Sequence, residues 1–139
     1  HRGNETSQRL ESIPGIGPLT ASAMVASVGN AHSFKNGRQL AAWIGLVPRQ
    51  HSSGGKQNLL GISKRGDVYL RTLLIHGARS LARSVQRKAN PDNWLYKLMH
   101  RRNPNVAAVA QANKTVRIIW AVLYNDGKFR PDYTTKALA

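Results

Sequence analysis

The chain has 139 residues, with 21 lysines and arginines against six aspartates and glutamates, for a formal net charge of +15. Its length is enough for one domain with a core of its own, and a 41% apolar share argues against wholesale disorder. The absence of cysteine excludes a disulfide framework and thiolate metal sites, and six scattered acids make no multi-carboxylate metal centre.

So strong a positive field destabilises a compact fold by self-repulsion, and its usual reason is a nucleic-acid partner. A membrane surface is the competitor. No uninterrupted apolar run reaches the roughly 18 residues of a span, and the basic helices have alanine-rich apolar faces. Nucleic acid is favoured. The chain opens His1–Arg2–Gly3 rather than on methionine, as an excised piece of something longer would.

In chain order, residues 7–12 read as the end of a helix, and Pro14–Gly15–Ile16–Gly17 as a tight turn. Pro18 suits the first turn of a second helix, which Gly29–Asn30 closes. Helix, Pro-Gly-Ile-Gly and helix, over residues 8–29, is the pattern of a helix-hairpin-helix. In such a motif Gly15 and Gly17 let hairpin amides approach a phosphate at the positive end of the second helix. A hairpin used only for packing stays open, because no lysine or arginine lies between Leu10 and Lys35.

Ser33 or Asn36 is placed to cap a short helix to about Trp43. Residues 44–66 then lose helical period and form a long irregular loop, with room for a short β-hairpin pairing Val47–His51 with Gln57–Ile62. The loop gathers Ser52, Ser53, Gly54 and Gly55 with the cations Arg49, Lys56, Lys64 and Arg65. Glycines let a backbone pass close to a ligand, and clustered cations favour a polyanion. Asp67 then caps a long helix to about Arg87. Its apolar face is Leu70, Leu73, Leu74, Gly77, Ala78, Leu81 and Val85. Opposite lie Thr72, His76, Arg79, Arg83 and Arg87, with Arg71 at the border. A row of arginines every four residues can follow a phosphate strand or be a solvated face; the absence of acids between Asp67 and Asp92 favours the first. Pro91 opens a helix over residues 92–102, Asn103–Pro104 breaks it, and a last helix runs from Pro104 to about Tyr124. The whole is mainly α, a domain over residues 1–125 with long helices across 67–125 and a poorly ordered tail at 126–139.

The chemistry narrows by elimination. Five histidines lack zinc spacing. His51 adjoins the serines, but no acid is placed to orient it as a triad base. Ser52–Lys56 lacks the frame of a P-loop. A serine in a cationic loop remains. Its hydroxyl either attacks a phosphodiester, with base and metal from elsewhere, or serves as a phosphate contact.

The ordered segments SIPGIGPLTASAMVASVG, FKNGRQLAAWIGLVP, SSGGK and GISKRGDVYLRTLLIHGAR resemble the C-terminal domain of the DEDD-type insertion-sequence transposases. These are relatives of the Piv DNA invertase, some of them guided by a bridge RNA. The resemblance runs from about Leu10 to Val85 and is looser beyond Arg87. It implies a DNA recombinase in which an N-terminal RuvC-like domain, absent from this chain, carries a four-acid Mg²⁺ site. It also implies a nucleophilic serine directly before a glycine in the loop after the G-L-x-P segment, which here is Ser53, with Ser52 as the alternative register. By the same resemblance, that serine is expected to form a covalent link to DNA alongside the acidic site of another subunit. Lys64–Arg65–Gly66–Asp67 matches the family element that opens the long helix. The implied setting is prokaryotic cytoplasm at the nucleoid, with DNA and guide RNA as partners, a homo-oligomer and no membrane. The expectation for these 139 residues alone is binding without recombination.

Overall fold

The computed structural model describes residues 5–46 and 68–125. Six α-helices occur among them: α1 (Glu5–Leu10), α2 (Pro18–Val28), α3 (Gly37–Ile44), α4 (Val68–Lys88), α5 (Trp94–Arg101) and α6 (Pro104–Tyr124). A 3-10 turn at Ala31–Ser33 links α2 to α3. The mainly helical reading of the sequence is correct. The β-hairpin expected at residues 47–62, the Asp67 cap and the tail at 126–139 lie outside the described residues.

Asparagine starts most of these elements. Asn36 accepts from the Gln39 amide at 2.8 Å, Asn93 from Leu95 and Tyr96, and Asn103 from Asn105. Each side-chain oxygen satisfies donors that a helix N-terminus otherwise leaves orphaned. Asn93 also explains why α5 begins at Trp94 rather than at Asp92: its oxygen holds both first-turn amides. Pro18 and Pro104 occupy first-turn positions, where a missing N–H is harmless. The first helix sits earlier than expected, closing at Leu10, with residues 11–12 in a turn whose amides reach back to Ser7, Gln8 and Arg9.

Helix α6 is the core element. It packs against α1, α3, α4 and α5, and its buried residues run around most of its circumference. One cluster joins Leu10, Ile13, Met24, Leu40, Ile44, Leu70, Leu74, Val116 and Ile119. A smaller one joins Val85, Leu95, Leu98 and Ala107. By length and composition α6 could cross a bilayer, although no uninterrupted apolar run in it is long enough. Because 56% of that stretch is buried inside the protein, its apolarity is that of a core helix.

Candidate nucleic-acid interface

The last described residues before position 47 are held at the end of α3. Gly45 takes φ +94° and donates its amide to the Ala41 and Ala42 carbonyls, a left-handed cap that suits glycine. The Ile44 carbonyl accepts from Arg71 Nη1 at 3.2 Å, and the Leu46 carbonyl from Asn113 Nδ2 at 2.6 Å. Side chains of α4 and α6 therefore fix the backbone on both sides of Gly45, just before residue 47. A Cβ at Gly45 would meet the Arg71 guanidinium at 2.6 Å. The expected site residues Arg49, Ser52, Ser53, Gly54, Gly55, Lys56, Lys64 and Arg65 all lie outside the described residues.

Arg71 is part of this frame. The sequence placed it at the border of a phosphate-binding row, whereas its half-buried guanidinium holds the last carbonyl of α3. The rest of the row is where helical spacing put it. Thr72, His76, Arg79, Arg83 and Arg87 are all exposed. Arg79 Nη2 donates to Asn105 Oδ1 at 3.1 Å, which ties it to the start of α6. Arg83 and Arg87 are paired with no other described residue. Steps of four residues put these cations about 6 Å apart along the helix.

The two hairpin glycines have different surroundings. Gly15 has φ +90° and packs against the backbone of Gly77 in the middle of α4. A Cβ at Gly77 would run into the Gly15 carbonyl oxygen, so turn and helix approach backbone to backbone. Gly17 is the N-cap of α2, with open space where its side chain would be. Gly17 faces open space, whereas Gly15 packs.

One feature escaped the sequence reading. Between the Ile13–Pro14 turn, α4, α5 and α6 lies a cavity of about 510 Å³ into which Lys114 projects. Lys114 is 8% exposed, and its ammonium sits 4.2 Å from the centre of the Trp94 ring. Burial pushes its pKa below the ordinary lysine value of 10.5. The available signal was spacing: residues 107, 111, 114 and 118 share one face of α6, and that face is buried. Among the described residues no three histidines, aspartates or glutamates gather to hold a metal ion.

Residues 7–92 match the family described as Transposase IS116/IS110/IS902 family, a span running from α1 past the end of α4. This chain belongs to that transposase family. It is 56% identical over 131 residues to a protein of Pseudomonas aeruginosa named "Probable family 20 transposase", covering 94% of this chain and 39% of that protein. It is 58% identical over 130 residues to the transposase for insertion sequence element IS1111A of Coxiella burnetii, covering 93% of this chain and 36% of that protein. A pilin gene-inverting protein of Moraxella bovis is 38% identical over 74 residues, covering 51% of this chain and 22% of that protein. The chain thus spans less than two-fifths of the length of the two transposases, while those alignments take in nearly all of it. No solved structure matches.

Proposed function

We propose that this chain is the DNA-binding, nucleophile-bearing domain of an insertion-sequence transposase. Ser53, with Ser52 as the alternative register, attacks a DNA phosphodiester through its hydroxyl oxygen. A serine–phosphate bond forms, the bond to one nucleoside oxygen breaks, and that oxygen takes up a proton. The serine's own proton goes to a base outside the described residues. Mg²⁺ and its acids belong to a separate RuvC-like domain of the full-length protein, which works as a homo-oligomer on DNA, with a bridge RNA in the guided branch.

The observation that carries this reading is family membership across residues 7–92, a span that includes the serine–glycine segment. Two features support it. Arg71 and Asn113 hold the Ile44 and Leu46 carbonyls, the last described backbone before that segment. The exposed arginines of α4 lie on the helix that resumes after it. In the full-length enzyme, Ser53→Ala should abolish the covalent protein–DNA adduct and leave DNA binding near wild type. An adduct that survives in this variant would move the role to Ser52 or elsewhere. The isolated 139 residues should bind DNA and, given Mg²⁺ and a donor–target pair, neither cut nor join it.

A second reading keeps the binding and drops the chemistry: a helix-hairpin-helix module whose serines contact phosphate. The open position of Gly17 at the start of α2 favours it. The same Ser53→Ala experiment separates the two, since a binding module forms no adduct even as wild type.

A further inference from the structure

We propose that the Lys114 cavity binds one unpaired nucleotide of a nucleic-acid strand, with its phosphate at the Lys114 ammonium. This rests on the nucleic-acid reading above and adds to it a site away from the serine segment.

A largely buried lysine gains from an opposite charge or good acceptors, because burial removes part of its ammonium's water. Lys114 is 92% buried by exposed area, yet no acidic residue is among those lining the cavity, and its ammonium faces the Trp94 ring. A cation–π interaction of about 0.5–2 kcal/mol offsets only part of such a loss. The rest of the lining is donor-rich. Lys88 stands at the α4 wall. The side-chain oxygens of Asn90 and Asn93 are engaged by backbone amides, which leaves their NH₂ groups as donors. Thr115 Oγ1 accepts from Gln111 Nε2, so the threonine keeps its own proton to donate. Donors without carboxylates suit an anion.

Size sets what kind of anion. The volume of about 510 Å³ falls in the range of small-molecule clefts, roughly 300–1,000 Å³, and exceeds what a lone phosphate fills. It equals a cube about 8 Å on a side, narrower than the ~12 Å major groove alone, so a duplex cannot enter. Apolar walls from Ile13, Leu81, Val85 and Ile118 give a base somewhere to lie once its phosphate is held. An unpaired nucleotide, splayed from its neighbours, satisfies both halves of the pocket.

The test is a binding titration of the 139-residue chain with labelled oligothymidylate, oligouridylate and a duplex of equal length. Lys114→Met should weaken single-strand binding about tenfold or more, the equivalent of one hydrogen bond to a charged group. Its duplex affinity should stay near wild type. Ser84→Phe, which fills the cavity from the α4 wall without changing charge, should give the same selective loss and keeps the test informative if the methionine variant fails to fold. Lys35→Met removes an equal charge from an exposed position and should change both affinities slightly and alike. If DNA alone, or RNA alone, shows the selective loss, that strand is the occupant. Both cavity variants binding single strands like wild type would overturn the proposal and leave the DNA-binding reading standing. Wild-type chain that binds no strand of any kind would remove that reading itself.

Discussion

At the scale of single residues, Lys114 shows how a side chain can oppose the fold that holds it. Its folded pKa lies below the 10.5 of an unburied lysine. Between those two values the unfolded chain holds a proton that the folded chain lacks, so stability rises with pH through that window, and below it the whole penalty is present. Denaturant titrations should show wild type gaining stability as pH climbs toward 10.5, and Lys114→Met lacking that gain. At neutral pH the methionine variant should be at least as stable as wild type, because an apolar side chain replaces a largely buried lysine that has no carboxylate partner among the described residues. A loss of several kcal/mol in that variant would make the lysine a structural member. Gly77 gives a second case. Alanine there gains about 1 kcal/mol of helix propensity. Against that, its Cβ meets the Gly15 carbonyl oxygen, and overpacking of this kind costs about 1–3 kcal/mol. Gly77→Ala should therefore lower the melting temperature, and a rise would show that α4 and the turn slide apart freely. Such roles are poorly legible in sequence. Gly77 reads as one member of an apolar face, and Arg71 as one cation of a row. What each touches depends on how α4 meets the hairpin and the end of α3.

At the scale of elements, the punctuation carried most of the information. Pro18 and Gly29 bracket α2 as local rules require, Asn36 caps α3, and Asn103–Pro104 separates α5 from α6. These signals act within a turn of helix, so they survive without knowledge of the fold. The division of α4 into a core face and an arginine face was legible for the same reason, since Leu70, Leu74, Ala78 and Val85 are buried and Arg79, Arg83 and Arg87 exposed. Pairings between distant segments were not legible. Asn113 reaches Leu46 across 67 residues, and no local pattern marks it. Charge reversal at Arg79 and Arg83 should flatten the salt dependence of DNA binding, at about 0.9 in the log–log slope for each duplex phosphate that is no longer neutralised. An unchanged slope would mean that this row faces solvent. Asn113→Ala leaves the Leu46 carbonyl without its donor, at about 1–3 kcal/mol if that group stays buried. It should lower adduct yield in the full-length enzyme more than it lowers DNA affinity, whereas equal losses would point to general destabilisation.

At the scale of the whole molecule, the described helices close on α6, and the chain belongs to a transposase family whose named members are far longer. The described residues supply a core helix, a turn packed backbone to backbone on α4, a fixed exit at Gly45–Leu46 and an outward row of cations. The chain covers 39% and 36% of the length of two transposases that it resembles. Its net charge of +15 fits a component that meets nucleic-acid strands. The most direct measurement is to stall full-length enzyme on its DNA, digest the protein and sequence the peptide that keeps a nucleotide. The expected product is a phosphoserine at residue 53, or at residue 52 in the other register. A trapped nucleotide on any other residue, or efficient strand cleavage with no protein-linked product, would contradict a serine nucleophile in this segment.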